Sequence, residues 1–228
     1  MFRVIRYSAV ALLAALAGLW GLAWFSHAPG QSVGEAFAQR LAQIFGQDMA
    51  LPAVEGGVQL PPGITLGGAF SLTRQDGVAV TEADYAGQWL LVYFGFTYCP
   101  DVCPTELGRM SDTIDALGPA GERLTPIFIT IDPERDGAAQ MADYVSRFHP
   151  RMQGLTGNAQ QIAEVARRYR VYYAKARTQN MTEYLMDHSS FIYLVDPIGR
   201  VRTLFRTDTS VEIMARTIAN QLRSLTSS

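Results

Sequence analysis

Apolar and polar positions follow two alternating patterns along the chain from about residue 64. Continuous apolar runs at Trp89–Phe96 and Leu124–Ile131 are too short for helices and are rich in β-branched and aromatic residues. Such runs are typical of strands buried on both faces of a sheet. Two later apolar segments, Phe191–Val195 and Val201–Phe205, flank a turn signal at 196–199 and therefore predict a β-hairpin.

Between and after these strands, apolar residues recur at the spacing of amphipathic helices. The predicted helices are one with Leu107, Met110, Ile114 and Leu117 on one face, one marked by Met141, Tyr144, Val145 and Phe148, one capped by Asn158 and running through Tyr169, and one at Ser210–Leu225. Strands that alternate with helices, followed by a hairpin and a closing helix, predict an α/β domain with a thioredoxin-like fold.

Near the N-terminus, Arg3 and Arg6 precede residues 7–25, which contain no charged residue. A helix over this run spans about 28 Å at roughly 1.5 Å per residue, close to the thickness of the bilayer hydrocarbon. Residues 1–30 are therefore predicted to form an N-terminal transmembrane anchor with its positive end in the cytoplasm. The domain would then lie in the periplasm, on a single pass through a bacterial inner membrane. The alternative is a cleaved signal peptide, because Ser26-His27-Ala28 fits a small-x-small cleavage site.

Residues 31–63 are interpreted as a stalk between the anchor and the folded domain. Its apolar residues share one helical face, and these are Phe37, Leu41, Ile44 and Phe45. The segment fits a helix lying at the membrane interface equally well as a helix packed on the domain or on a partner. Glycine and proline residues interrupt regular structure after residue 55, so the thioredoxin-like domain is predicted to occupy residues 64–228.

Composition narrows the class of protein. Of 228 residues, 48% are apolar and 18% are charged, which excludes both a disordered chain and a polytopic membrane protein. A formal net charge of −2 argues against binding nucleic acid through a basic surface. The chain has 2 cysteines, so a multi-disulfide scaffold and a four-cysteine zinc site are both excluded.

Cys99 and Cys103 lie where the predicted strand Trp89–Phe96 ends and the first helix begins. Open α/β sheets bind ligands at the carboxyl ends of their strands, and a helix N-terminus lowers the pKa of a thiol. Thiolate is both a ligand of soft metals and the nucleophile of thiol–disulfide exchange, so the position fits either chemistry. Pro104 is expected to be the first residue of the helix, with Cys103 near its cap.

His188 precedes the predicted strand Phe191–Val195, where a thioredoxin-like sheet places a loop that faces the cysteines. Two thiolates and an imidazole form a soft donor set that suits Cu(I). Thiol–disulfide oxidoreductases of this fold carry CxxC and a proline before this strand, whereas here the spacing is CxxxC and Ser189-Ser190 precede the strand. Cys99, Cys103 and His188 are therefore the candidate metal ligands, and the cysteines are the redox pair if the protein exchanges disulfides.

Acidic residues near the cysteines and His188 are weaker candidates for a role in the site. Asp101 and Asp187 flank the predicted ligands and are candidates for hydrogen bonding around them. The segment Asp132–Asp136 follows a strand end, where it either lines the same crevice or begins a capped helix.

Three motifs carry a family resemblance: Tyr93–Pro104 (YFGFTYCPDVCP), Ile131–Asp136 (IDPERD), and Asp187-His188-Ser189 followed by Tyr193–Gly199 (YLVDPIG). In this order they closely resemble the Sco (SenC) family of copper-binding assembly factors, over roughly residues 64–225. The resemblance implies a thioredoxin-like fold carried by a membrane anchor. It also implies one copper ion per domain, as Cu(I) or Cu(II), bound by Cys99, Cys103 and His188.

The role implied by this family is maturation of the binuclear copper centre of a respiratory haem–copper oxidase. The implied partners are the copper-centre subunit of that oxidase, a periplasmic copper donor and the membrane, with no nucleic acid. Such a metallochaperone binds and transfers copper without turnover, so it is not expected to be an enzyme. The alternative is a thiol–disulfide oxidoreductase that reduces the cysteines of the oxidase subunit before copper enters.

Overall fold

A computed structural model describes residues 57–60, 63–176 and 184–224. The predicted anchor at residues 1–30 lies outside these ranges, and so does the stalk up to residue 56. Of the helices in the part of the chain that the structure describes, none is long and apolar enough to cross a membrane.

The described residues form ten strands and four α-helices. The strands are β1 (Val58–Gln59), β2 (Ser71–Arg74), β3 (Ala79–Thr81), β4 (Trp89–Gly95), β5 (Leu124–Thr130), β6 (Gln153–Thr156), β7 (Tyr173–Ala176), β8 (Leu185–His188), β9 (Phe191–Val195) and β10 (Val201–Arg206). The helices are α1 (Val102–Ala116), α2 (Ala138–Val145), α3 (Ala159–Tyr169) and α4 (Val211–Ser224), with 3₁₀ turns at Glu82–Tyr85 and Gly118–Arg123.

Eight of these strands form one mixed sheet in the order β1-β10-β9-β4-β5-β6-β2-β3. β4, β5 and β6 are parallel, and β9 pairs antiparallel with β4. The continuous apolar run predicted as a doubly buried strand is β4, in which every residue is buried. The predicted α/β class is confirmed, and the element order is thioredoxin-like.

The helices begin and end for identifiable reasons. Asn158 caps α3 as predicted, because its side chain accepts a hydrogen bond from the Gln161 backbone N–H at 2.9 Å. The α1 helix instead begins at Val102, with Asp101 at the N-cap, so Pro104 is its third residue and not its first. Proline is tolerated there because the N–H groups of the first helical turn have no acceptor within the helix.

The hydrophobic pattern did not reveal β1, β6, β7 and β8, which have two to four residues each. Strands this short contain too few alternations to be distinguished from loops. Val58 and Gln59 pair with Leu204 and Thr203, so the sheet includes residues before position 64. β7 and β8 pair with each other in a separate two-stranded sheet, and His188 ends the second of these strands.

Candidate metal centre

The segment that carries both cysteines leaves the centre of the sheet at the end of β4. The buried Asp136 carboxylate accepts hydrogen bonds from the Thr97 backbone N–H at 3.0 Å and the Thr97 hydroxyl at 2.6 Å. The same carboxylate accepts from the hydroxyl of Thr130, the last residue of β5, at 2.6 Å. Burial raises the pKa of Asp136, while these hydrogen bonds oppose that shift. Asp136 thus fixes the start of the cysteine segment to the end of β5.

Gly95 leaves room for the buried sulfur of Cys103. A Cβ atom at Gly95 would lie 2.7 Å from Cys103 Sγ and 2.9 Å from a ring carbon of Phe128. These distances are shorter than van der Waals contact, so a larger residue would force the sulfur or the ring to move. Cys103 is fully buried against β4, whereas Cys99 is half-buried and therefore reachable from solvent.

The two cysteines are not joined by a disulfide, and a hydrogen bond links their sulfurs. The Cys103 backbone N–H lies 3.4 Å from Cys99 Sγ and donates to it. The pKa of Cys99 falls to about 4, chiefly because the Cys103 thiol donates a hydrogen bond to it, with burial opposing and His188 adding to the decrease. The pKa of Cys103 is raised because Cys99 holds its proton in this hydrogen bond and because Cys103 is buried. These shifts favour the thiolate at Cys99 and the thiol at Cys103.

His188 reaches this pair from the end of β8. Its Nε2 lies 3.6 Å from Cys103 Sγ, and its Nδ1 lies 3.1 Å from the carbonyl oxygen of Ser189. A carbonyl can only accept, so Nδ1 carries a proton, and Nε2 is the ring nitrogen that faces the sulfur. Backbone fixation of one ring nitrogen is the usual arrangement for a metal-binding histidine. The rings of Tyr93 and Phe96 contact the imidazole edge-on, each with centroids 6.1 Å away.

Tyr93 is a site residue that sequence reasoning did not select. Its hydroxyl lies 3.9 Å from Cys103 Sγ and 3.5 Å from the hydroxyl of Ser190. Burial raises the pKa of Tyr93, and the nearby Cys103 raises it further, so the hydroxyl remains protonated and can donate to the sulfur. In the sequence its ring belongs to the apolar run of β4, which masks the polar role of the hydroxyl.

The separation of Cys103 and His188 suits one shared metal ion. Sulfur and nitrogen ligands bound at about 2.3 and 2.0 Å to a tetrahedral ion lie about 3.5 Å apart, and the structure has 3.6 Å between these atoms. Over the described ranges, no group of three or more His, Cys, Asp and Glu side chains is arranged as a complete metal site. The structure brings the cysteine segment after β4 and His188 at the end of β8 close together, with His188 Nε2 3.6 Å from Cys103 Sγ.

Comparison with known proteins identifies the family. The model of the SCO1/SenC family matches residues 59–223. This chain belongs to the SCO1/SenC family. The human mitochondrial SCO1 homolog is 44% identical over 160 residues, which cover 69% of this chain and 53% of that protein. The chain spans about half the length of the curated relatives it matches.

Two solved Sco structures share the fold. The copper-bound crystal structure of ScoI from Arabidopsis thaliana is 41% identical and superimposes with a TM-score of 0.67, covering 70% of this chain and 99% of that one. The copper-bound structure of ScoI from Bradyrhizobium japonicum is 42% identical, with a TM-score of 0.63, covering 68% of this chain and 98% of that one.

In this Sco domain, Asp101 and Asp187 are both exposed. Asp101 begins α1, where its backbone carbonyl accepts from the Thr105 hydroxyl at 3.0 Å, and its side chain makes no capping hydrogen bond. The acidic residues with clear structural roles lie instead in the second motif: Asp136 fixes the cysteine segment, and Asp132 binds Arg135 and Tyr184. The available signal was their position immediately after a buried strand.

Proposed function

We propose that this Sco-family protein is a copper metallochaperone, which binds one copper ion through Cys99, Cys103 and His188. The observation that carries the proposal is the 3.6 Å approach of His188 Nε2 to Cys103 Sγ, next to the thiolate of Cys99. Copper-bound structures of relatives that are 41 and 42% identical support it. The recipient, by family resemblance, is the binuclear copper centre of a respiratory haem–copper oxidase.

The protonation of the cysteine pair indicates how copper would enter. Cys99 is the more accessible of the two, and its lowered pKa favours the thiolate, so it is the first sulfur that an incoming ion meets. Binding to Cys103 requires its thiol to lose one proton, which leaves to solvent or to the copper donor. His188 presents its Nε2 to the same site. Two thiolates and an imidazole suit Cu(I), and the nitrogen ligand also favours Cu(II).

The location belongs to the same proposal. Residues 1–30 anchor the protein in the bacterial inner membrane by one pass, and the domain receives copper from a periplasmic donor and passes it to the copper-centre subunit of the oxidase. The charge-free run 7–25 after Arg3 and Arg6 supports this topology. The protein should remain with membranes after a high-salt wash. Recovery of a soluble mature chain that begins near Pro29 would show a cleaved signal peptide instead.

A thiol–disulfide oxidoreductase is the second candidate, and the unequal cysteines favour it. The Cys99 thiolate would attack a disulfide of the oxidase subunit, form a mixed disulfide and release one target thiolate. Cys103, after losing its proton, would attack Cys99 Sγ and release the second target thiol. The target is then reduced and the Cys99–Cys103 pair oxidised. This reaction requires no part for His188.

The decisive experiment combines metal binding with oxidase activity. Anaerobic titration of the reduced protein should show one tightly bound copper, and Cys99→Ser or Cys103→Ser should each abolish it. His188→Ala should lose the Cu(II)–thiolate absorption and EPR signal but keep much Cu(I) binding and a near wild-type rate of disulfide reduction.

If the His188→Ala strain has low oxidase activity in cells, and added copper restores that activity, the result supports the chaperone. Normal oxidase activity in that strain, beside failure of the Cys99→Ser strain, favours the oxidoreductase. Full copper affinity in either cysteine variant would overturn the ligand assignment.

A further inference from the structure

Arg135 lies between two aromatic rings that belong to the two sides of the candidate centre. Its guanidinium carbon is 4.8 Å from the ring centroid of Tyr98 and 3.8 Å from that of Tyr184. Tyr98 directly precedes Cys99, and Tyr184 directly precedes β8, the strand that ends at His188. One planar cation therefore contacts both the cysteine segment and the histidine strand.

The buried Asp132 carboxylate binds both Arg135 and Tyr184. This carboxylate, which is 1% exposed, accepts from Arg135 Nε at 2.5 Å and from the Tyr184 hydroxyl at 2.7 Å. Arg135 Nη1 also donates to the Tyr184 backbone carbonyl at 3.0 Å. The arginine thus bonds both the side chain that orients it and the backbone at the start of the histidine strand. We name Arg135, Asp132, Tyr98 and Tyr184 the arginine clamp.

The histidine strand is joined to the main sheet by the short link Ser189-Ser190 into β9 and by the burial of Met186 in the core, but among the described strands it does not pair with that sheet. β8 pairs with β7 alone within the described residues, in a sheet separate from the eight-stranded one. The cysteine segment, in contrast, continues directly from β4 in the centre of the main sheet. The distance between the sulfurs and the imidazole is therefore set across two sheets, where side-chain contacts replace backbone pairing.

We infer that Arg135 is a positioning residue for copper, and that the arginine clamp holds His188 within ligand distance of the two sulfurs. This inference rests on the proposed function, since it concerns the same ligands. It predicts that loss of the clamp affects the binding of Cu(I) and of Cu(II) differently. Cu(I) tolerates two thiolates alone, whereas Cu(II) requires the nitrogen ligand in place. Loss of the clamp should therefore weaken Cu(II) binding much more than Cu(I) binding.

The test is a double-mutant cycle with Arg135 and His188. Each variant of the whole protein is titrated separately with Cu(I) and with Cu(II). Arg135→Gln should lower the Cu(II) affinity about 10- to 100-fold, the usual effect of removing a group that orients a metal ligand. The Cu(I) affinity should change by less than about threefold. Each tenfold selective loss of Cu(II) affinity raises the Cu(II)/Cu(I) reduction potential by about 59 mV. In a His188→Ala background, Arg135→Gln should cause no further loss, because the ligand it positions is gone.

Arg151→Gln serves as the control. Arg151 also holds loop backbone, through the carbonyls of Gly121, Glu122 and Leu124, but at the opposite end of β5. Its Cu(II) affinity should equal that of the wild type. Arg135→Lys keeps the charge near Asp132 but lacks the planar stacking group, so it should lose less Cu(II) affinity than Arg135→Gln. If Arg135→Gln does not fold, the Cu(II) and Cu(I) affinities of Arg135→Lys and Tyr184→Phe are compared instead.

The outcomes separate this inference from the proposed function. Wild-type Cu(II) affinity in the Arg135 variants, beside a clear loss in His188→Ala, overturns the clamp alone. An equal loss from Arg135→Gln with and without His188 also overturns it, because the effect would then be structural. No loss of Cu(II) affinity in His188→Ala overturns the ligand assignment and the clamp together.

Discussion

The two sides of the candidate centre are built in different ways. The cysteine segment leaves β4, which pairs with a strand on each side, and Asp136 fixes it to the end of β5. His188 ends β8, whose described partner is β7 in a separate two-stranded sheet. The sulfurs are therefore positioned by the main sheet, whereas the imidazole is positioned by side-chain contacts and by two bonds between Ser189 and Tyr172.

This difference assigns different tasks to the two sides. The hydrogen bonds of Asp136 anchor the cysteine segment to the main sheet and so determine where the sulfurs lie. β8 lies outside the hydrogen-bonded ladder of the main sheet, so its pairing with β7 can open without breaking that ladder, although Met186 is buried in the same core. If His188 is the nitrogen ligand of the proposed carrier, its side of the centre is a suitable point for release of the ion.

The largest expected effect concerns the anchoring of the cysteine segment. Asp136→Ala would leave the Thr97 N–H and the hydroxyls of Thr97 and Thr130 without their acceptor. Each unsatisfied buried polar group costs about 1–3 kcal/mol, so the free energy of unfolding should fall by about 3 kcal/mol. Denaturant titration measures this. Glu134→Ala, at an exposed ion pair with Lys175, should cause a much smaller loss, because water screens exposed ion pairs. Equal losses in the two variants would remove Asp136 from this role.

The two cysteines should differ strongly in reactivity. At pH 6 a limiting amount of iodoacetamide should label Cys99 about a hundredfold faster than Cys103, because Cys99 is an accessible thiolate and Cys103 a buried thiol. The pKa of Cys99 is lowered to about 4, so its labelling should be nearly constant from pH 6 to 8 and fall as the pH drops through 4. Peptide mass spectrometry gives the rates. In urea the two cysteines should react alike, and similar rates in the folded protein would contradict the assignment.

Two glycines should respond in opposite directions to the same substitution. Gly95→Ala places a methyl group against Cys103 Sγ and Phe128, so it should destabilise the protein by about 1–3 kcal/mol and weaken copper binding. Gly108→Ala lies on α1 with no atom within 4 Å of the new Cβ, so it should stabilise the helix by about 0.5–1 kcal/mol. Thermal unfolding compares them. A stabilising Gly95→Ala would show that the sulfur is not confined by β4.

The smallest expected effect tests the comparison of the two sides directly. Backbone amides of β7 and β8 should exchange hydrogen at least about tenfold faster than those of β4, because the small sheet opens without the main one. Native-state exchange followed by NMR measures the rates. Copper should slow exchange in β8 more than in β4 if His188 is a ligand. Equal protection of β4 and β8 without metal would place both in one cooperative unit.

The fold could be predicted from the sequence largely because its central elements are long and uniform. The apolar run at Trp89–Phe96 predicts a doubly buried strand, and Asn158 predicts the start of a helix; the structure confirms both. The Tyr173–Ala176 and Leu185–His188 hairpin was not predicted, because four residues per strand carry little periodicity.

In the candidate site, too, local features could be predicted from the sequence and long-range contacts could not. The sequence by itself determined that two thiols lie at a strand end before a helix, because strand, turn and helix are local and follow from neighbouring residues. It also determined that His188 lies shortly before the buried strand Phe191–Val195. Tertiary structure alone decided which sulfur is buried, that Asp136 fixes one segment, and that Arg135 joins Tyr98 to Tyr184. These contacts link residues far apart in the chain, so their distances arise only when the strands, helices and small sheet pack together.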